Sequence, residues 1–148
     1  MKTPLVSIIM PAYNGAKWIK KAILSVLRQS FVDFEFVIIN DNSSDNTEEV
    51  VTTFAKQDKR IKYIKNERNL GVQKTRNIAL DMSLCEYIAE IDQDDEWLDI
   101  NKLKKQVEFL DKNPEYVGCG GGFIVIDKDG REGGRFFKPE RDEDIKKR

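Results

Sequence analysis

The sequence predicts an α/β domain built on a mainly parallel sheet, and three observations support this. Short apolar segments of strand length alternate with stretches in which apolar residues recur every three or four positions. The first apolar segment, residues 5–10, is almost continuously apolar, which is typical of a strand buried on both faces of a parallel sheet. Polar loops follow several of these strands. Strands and helices that alternate in this way favour parallel βαβ units.

The first half of the chain contains two predicted strand and helix pairs. After the first strand, residues 11–15 form a turn-rich segment. Helical spacing begins at Ala16 and ends near Ser30; the apolar positions are Ile19, Ala22, Ile23, Val26 and Leu27. The second strand is predicted at residues 34–39. Asp45 and Glu48 then have the spacing of a capping box, which predicts that the second helix begins there.

The second half continues the alternation. Strands are predicted at residues 61–64 and 87–91, with a helix after Gly71 between them. A fourth helix is predicted over residues 100–110, and residues 127–130 have the composition of a hairpin turn. The glycine-rich run at residues 118–122 is interpreted as a place where the backbone passes close to a ligand or another segment. A plain flexible bend is the alternative.

Three aspartates, Asp92, Asp94 and Asp95, follow the fourth predicted strand. Their carboxylates repel one another, and a divalent cation with oxygen ligands offsets such repulsion. An EF-hand loop is excluded, because the sixth position from Asp92 is Trp97 and the twelfth is Leu103. A Mg²⁺ or Mn²⁺ site with open positions for phosphate oxygens fits better. The alternative is a solvated acidic loop without a ligand.

Polar clusters are predicted to converge at one edge of the sheet. In open α/β sheets, ligands bind outside the carboxyl ends of the strands. The loops after the first, second and fourth strands contain Tyr13 and Asn14, residues 40–42 and residues 92–95. We therefore expect these three loops to form one pocket.

Composition excludes several classes of function. The net charge is −1 and there is no basic stripe, so nucleic acid is not an expected partner. The absence of histidine rules out His-based triads and zinc proteases within this chain. The apolar runs are too short to span a bilayer, and residues 1–4 lead directly into a strand pattern rather than a signal peptide. Cys85 and Cys119 lack metal-site spacing, which favours a reducing cytoplasm.

Four motifs, in order along the chain, carry a resemblance to a known family. They read V-S-I-I-M-P-A-Y-N at residues 6–14, I-N-D-N-S-S-D-N-T at 39–47, N-L-G-V-Q-K-T-R-N at 69–77 and I-D-Q-D-D-E-W-L at 91–98. The chain resembles the family 2 glycosyltransferases of the GT-A fold, a Rossmann-like three-layer α/β/α architecture. The resemblance implies a nucleotide-sugar-binding domain over residues 1–130. Residues 131–148 are then a charged tail, the start of an acceptor-side half that this chain lacks.

The resemblance also implies roles for individual residues. Tyr13 stacks on the base, Asp41 accepts a hydrogen bond from a uracil N–H, Arg76 lies near base and phosphates, and Asp92 lies near the ribose. The implied nucleotide-sugar-binding residues are Pro11, Ala12, Tyr13, Asn14, Asp41, Arg76, Asp92, Gln93 and Asp94. Mn²⁺ or Mg²⁺ is the implied cofactor, held by Asp94 with Asp95 close by. Asn40 stands where the family often has a second acid.

The implied reaction is inverting transfer of a sugar from a nucleotide-diphosphate donor, such as a UDP-sugar, to a hydroxyl of a glycan or lipid-linked acceptor. It would serve polysaccharide or glycoconjugate synthesis in the cytoplasm, or peripherally at the inner face of the membrane. The catalytic base of the family usually comes from the second half, so it is expected beyond Arg148. Self-association through an exposed apolar edge is also expected. Two alternatives are a module that binds nucleotide diphosphate without turnover and, more distantly, a nucleotidyltransferase of related architecture.

Overall fold

A computed structural model describes residues 3–127 and 129–136 of the 148-residue chain. The strands are β1 (Val6–Ala12), β2 (Phe34–Asn40), β3 (Ile61–Lys65), β4 (Tyr87–Glu90), β5 (Phe123–Ile126) and β6 (Glu132–Phe136). The helices are α1 (Ile19–Leu27), α2 (Thr47–Gln57), α3 (Val72–Asp81) and α4 (Lys102–Lys112). Among these helices, none is both long enough and apolar enough to cross a membrane.

The first four strands form one parallel sheet in the order β3-β2-β1-β4. Strand β1 is central and pairs in parallel with both β2 and β4, while β2 also pairs with β3. The predicted mainly parallel sheet is confirmed. The chain moves outward from β1 to β3 and then returns to the other side of β1, so the topological switch point lies between β1 and β4.

The two central strands are completely buried, as their continuous apolar runs predicted. Helix α3 covers one face, where Ala79 packs against Ile9, Val37 and Ile39. Side chains alternate along a strand, so Ile8, Met10, Phe36 and Ile38 supply the opposite face. Helix α2 packs against β2 and β3, and α1 packs against α2. These layers hold the strand ends, and hence the loops that follow them, in fixed positions.

Strand β1 continues through two residues that the sequence pattern assigned to a turn. Proline has no backbone N–H, and it therefore suggested the end of the strand at Pro11. Parallel pairing with β2 nevertheless continues to Ala12, which lies opposite Asn40. The Asp41 N–H donates to the Ala12 carbonyl at 2.7 Å. Helix α1 correspondingly starts at Ile19, after a turn in which the N–H groups of Trp18 and Ile19 both donate to the Gly15 carbonyl.

The predicted capping box at the start of the second helix is wrong. Helix α2 begins at Thr47, and Asp45 lies two residues before it. One Asp45 oxygen accepts from the Thr47 N–H at 3.0 Å and the other accepts from the Ala16 N–H at 3.1 Å. Glu48 pairs with Lys65 of β3 instead of returning to the cap. Asp45 thus connects the start of α2 to the loop after β1, a tertiary contact that overrides the local pattern.

A second compact unit begins at Gln106. The domain boundary predicted at residue 130 therefore falls inside this unit. Strands β5 and β6 form an antiparallel hairpin whose Phe123 and Phe136 rings stack with centroids 5.2 Å apart. The Gly130 N–H donates to the Asp127 carbonyl at 3.0 Å, which confirms the predicted hairpin turn; Lys128 of that turn lies outside the described residues.

Two interpretations of this region need correction. Residues 132–136 form strand β6, so the start of the segment predicted as a charged tail is ordered by pairing. Residues 137–148 lie outside the described residues. Within the described residues, and apart from its chain neighbours, no heavy atom lies within 4 Å of a Cβ added at Gly118, Gly120 or Gly121. The structure therefore does not support a close approach of another segment at these glycines.

Candidate functional site

The loops after β1 and β2 contact each other at the carboxyl edge of the sheet. The Asn14 N–H donates to the Ser43 hydroxyl at 3.0 Å, and the Asn14 side-chain oxygen accepts from the Ser44 N–H at 2.9 Å. The Gly15 N–H donates to the Thr47 hydroxyl at 2.8 Å. The Tyr13 side chain is 47% exposed at this edge. These contacts confirm that the first two predicted loops converge.

The loop after β4 joins them across the switch point. The Tyr13 N–H donates to Gln93 Oε1 and Gln93 Nε2 donates to the Tyr13 carbonyl, each at 2.9 Å. Farther along, the Trp97 N–H donates to the buried Ser25 hydroxyl of α1 at 3.1 Å. The acidic turn, residues 92–95, is thus anchored on both sides. All three predicted loops lie at one edge of the sheet.

Negative charge accumulates in the acidic turn. The Asp95 N–H donates to the Asp92 carbonyl at 3.1 Å, which closes the turn, and the three aspartates are exposed. Desolvation, together with the charges of Asp92 and Asp94, raises the pKa of the Asp95 carboxyl. Crowded carboxylates of this kind are stabilised by a cation.

Arg76 of α3 brings a positive charge to the acidic turn. Its Nη2 lies 2.8 Å from Asp92 Oδ1, and its Nε lies 3.8 Å from Glu90 Oε2. The Arg76 side chain is 30% exposed. Its Nε is buried and has no hydrogen-bond partner within the part of the chain that the structure describes. Helix α3 thereby places a guanidinium with spare donor capacity beside the carboxylates.

Asp41 lies beneath this edge and is only 2% exposed. Its Oδ1 accepts from Asn66 Nδ2 at 2.7 Å and from the Leu70 N–H at 2.9 Å, and its Oδ2 accepts from the Gly71 N–H at 2.8 Å. Burial alone would raise the pKa of Asp41, but hydrogen bonds from Leu70, Asn66, Thr75 and Gly71 outweigh it and lower the pKa. The carboxylate fixes the segment that leads into α3.

This arrangement limits the predicted role of Asp41 in base recognition. A carboxylate has about four acceptor positions. Asn66, Leu70 and Gly71 donate to Asp41 at 2.7, 2.9 and 2.8 Å, and Thr75 also interacts with its carboxylate, so protein donors use most of this capacity. A bond from a uracil N–H stays a prediction.

Gly71 adopts a backbone conformation that favours glycine, with φ 86° and ψ 153°. A non-glycine residue in such a region costs about 1–3 kcal/mol. We expect Gly71→Ala to lower the free energy of unfolding by about that amount, measured by chemical denaturation. Gly118→Ala is the matched control, because Gly118 has no positive φ and its added Cβ meets no atom within 4 Å in the described part of the chain. Equal stability of the two variants would contradict the expectation.

Several further residues, two of which were predicted to bind the nucleotide sugar, stabilise the carboxyl edge of the sheet through contacts within the protein. Pro11 and Ala12 are buried within β1. Asn40, which stands at the position where an acid was expected, donates to the Tyr63 hydroxyl at 3.0 Å and accepts from the Ser43 N–H at 2.8 Å. No local sequence pattern predicted a role for Asn66, because its partner Asp41 lies 25 positions away.

The carboxylates of the acidic turn are suitable ligands for a hard divalent cation, but the described residues do not supply a complete coordination sphere. In the described residues, no group of three or more His, Cys, Asp or Glu side chains is arranged to hold a metal ion. Asp92 is engaged by Arg76, which leaves the carboxylates of Asp94 and Asp95. Mg²⁺ and Mn²⁺ are commonly bound by one or two carboxylates plus substrate phosphates, so these residues fit such an ion.

Comparison with known sequences gives a consistent result. A model of the family described as glycosyl transferase family 2 matches residues 7–147. An Escherichia coli enzyme, UDP-Glc:alpha-D-GlcNAc-diphosphoundecaprenol beta-1,3-glucosyltransferase WfgD, is 43% identical over 93% of this chain and 52% of its own length. An uncharacterized glycosyltransferase of Methanocaldococcus jannaschii is 38% identical over 95% of this chain and 49% of its length. The chain therefore spans about half the length of these two relatives.

Solved structures show the same fold. The Staphylococcus aureus TarS fragment 1–349 in complex with UDP matches with a TM-score of 0.69 and 29% identity, over 85% of this chain and 37% of that one. The mannosyltransferase PcManGT from Pyrobaculum calidifontis, solved with GDP-Man and Mn²⁺, matches with a TM-score of 0.71 and 23% identity, over 86% and 37% of the two chains. The expected GT-A fold is confirmed.

Proposed function

Since the chain belongs to glycosyl transferase family 2, we propose that it binds a UDP-sugar at the carboxyl edge of its parallel sheet. The sugar would then be transferred, with inversion, to an acceptor hydroxyl. The observation that carries this proposal is the meeting of three loops at the switch point, where Gln93 joins the Tyr13 loop to the acidic turn. An exposed aromatic ring at such a crevice suits a base, and a carboxylate cluster suits a divalent cation that would in turn bind the diphosphate.

The nucleotide end of the ligand would lie at the Tyr13 side of the edge. The half-exposed Tyr13 ring can stack on a base, and Arg76 offers a cation for the diphosphate. Relatives support the choice of donor, because the TarS fragment has been solved with UDP-GlcNAc at 30% identity and WfgD is named for UDP-Glc.

Asp94 and Asp95 would hold the metal ion, Mn²⁺ or Mg²⁺. When bound, such an ion acts as a Lewis acid that stabilises negative charge on the departing diphosphate. Arg76 pairs with Asp92 and thereby reduces the negative charge of the acidic turn. Transfer also requires a general base for the acceptor hydroxyl. We assign that role to none of the described carboxylates.

We propose that the acceptor is a lipid-linked glycan and that transfer takes place at the inner face of the membrane; the name of one relative supports the choice of acceptor. WfgD is named for a diphosphoundecaprenol-linked acceptor. A Bacillus subtilis relative, TuaG, 40% identical over 72% of this chain, is named as a putative teichuronic acid biosynthesis glycosyltransferase. On the basis of these two names, we propose a role in polysaccharide or glycoconjugate synthesis for the protein that contains this chain.

Calorimetric titration with UDP and GDP, each with Mn²⁺ and with EDTA, tests the donor proposal. We expect UDP to bind more tightly than GDP. We also expect Mn²⁺ to strengthen UDP binding, because Asp94 and Asp95 can share the ion with the diphosphate. Equal UDP affinity in Mn²⁺ and in EDTA would remove the metal from the proposal. A preference for GDP would overturn the choice of donor.

A further inference from the structure

We propose that Gln93 is a positioning residue that sets the spacing between the Tyr13 loop and the acidic turn. The inference rests on the function proposed above, because that spacing matters for a ligand that contacts both sides at once. It assigns the Gln93 amide to a contact within the protein, in place of the direct contact with the nucleotide sugar that the resemblance implies.

Both polar atoms of the Gln93 amide are engaged with the backbone of one residue. Oε1 accepts from the Tyr13 N–H and Nε2 donates to the Tyr13 carbonyl, both at 2.9 Å. A two-point contact fixes orientation as well as distance. Backbone pairing carries β1 and β4 only as far as the bond from the Ile91 N–H to the Ile9 carbonyl. The Gln93 amide bridges the two loops beyond that pairing.

Gly15 makes room for this contact. A Cβ added at Gly15 would lie 2.1 Å from Oε1 and 2.5 Å from Cδ of Gln93, and its three nearest atoms all belong to that amide. The φ of Gly15 is not in the left-handed region, so its backbone conformation does not itself require glycine. A side chain at position 15 would therefore displace the Gln93 amide from its present place.

The residues on either side of the contact are those available to a ligand. The Tyr13 ring is exposed on one side, and Asp94 and Asp95 are exposed on the other. A ligand held at two points gains affinity only when the two points have the spacing that it spans. We therefore expect loss of the Gln93 contact to reduce the additional affinity that a ligand gains by contacting both sides at once. The affinity for either side alone should change less.

Gln93→Ala tests this, with UDP affinity measured in Mn²⁺ and in EDTA. Two lost neutral hydrogen bonds correspond to roughly a tenfold effect. We expect the tightening of UDP binding by Mn²⁺ to fall about tenfold, and the affinity in EDTA to change less than about twofold. Gln57→Ala, at the exposed C-terminal end of α2, is the control for loss of a glutamine. An equal loss in Mn²⁺ and in EDTA would indicate general damage to the fold and overturn the inference.

Gly15→Ala supplies an independent test through a double-mutant cycle. Alone, it should displace the Gln93 amide and reproduce the loss of Mn²⁺-dependent tightening. In the Gln93→Ala background it should have little further effect, because the atoms that it would meet are gone. Additive effects would contradict the proposal.

Hydrogen exchange at the Tyr13 amide separates this inference from the proposed function. Exchange should be slow in the wild type and faster in Gln93→Ala, whether or not UDP binds. Unchanged exchange would overturn the positioning role. Failure of the wild type to bind UDP, with the exchange difference present, would overturn the proposed function and leave the contact established.

Discussion

Asp94→Asn should abolish most of the Mn²⁺-dependent part of UDP affinity while leaving the fold intact. Asp94 is exposed in the acidic turn and accepts no hydrogen bond within the described part of the chain. Its carboxylate is therefore available to a cation. Changes to the outer-shell partners of a metal site typically cost about 10–100-fold in affinity, so loss of a direct carboxylate ligand should cost at least that much.

The measurement is the UDP dissociation constant in Mn²⁺ and in EDTA, for wild type and variant. Asp81→Asn is the matched control, because it removes the same charge at the exposed C-terminal end of α3. We expect Asp94→Asn to bind UDP in Mn²⁺ about as weakly as the wild type does in EDTA. Retention of the full Mn²⁺ effect in Asp94→Asn would exclude Asp94 as a ligand.

The strands and the edge that carries the site were predictable, for a physical reason. Buried parallel strands need continuous apolar runs, and β1 and β2 have them. The rule that ligands bind at the carboxyl ends of strands then placed the Tyr13 loop and the acidic turn together without any knowledge of the strand order. Local composition was sufficient for this level of description.

The side-chain network at the site was not predictable, because its members are far apart in the chain. Gln93 meets Tyr13 across 80 positions, and both were predicted as ligand contacts rather than as partners of each other. The start of α2 was misplaced for the same reason, since Asp45 bonds the Ala16 N–H, 29 positions away. Such contacts follow from the packing of the elements, which no local pattern encodes.

Asp41→Ala should cause a large loss of stability. It removes the carboxylate that accepts from Asn66 Nδ2 and from the N–H groups of Leu70 and Gly71. Asn66 Nδ2 keeps Thr75 Oγ1 and the Gly71 N–H keeps Asn69 Oδ1 as acceptors, each at 3.1 Å. A hydrogen bond to a charged group contributes about 1.5–3 kcal/mol and an unsatisfied buried donor costs about 1–3 kcal/mol, so we expect a loss of about 3 kcal/mol or more. That is a substantial share of the roughly 5–15 kcal/mol by which a typical domain is stable. Chemical denaturation followed by circular dichroism measures the loss, with the exposed neighbour Glu67→Ala as the control.

The pH dependence of stability gives the sharper test of Asp41. Hydrogen bonds hold its pKa in the folded state below the ordinary value of 3.8, despite burial. The stabilisation by its carboxylate is therefore fully present above the unfolded-state pKa and is lost as pH falls toward the folded-state pKa. Below about pH 4, the wild type should lose stability more steeply than Asp41→Asn. Other carboxylates, such as Asp45 and Asp58, titrate in both proteins, so the difference between the two curves isolates Asp41. Parallel curves for the two proteins would show that Asp41 is not held ionised by this network.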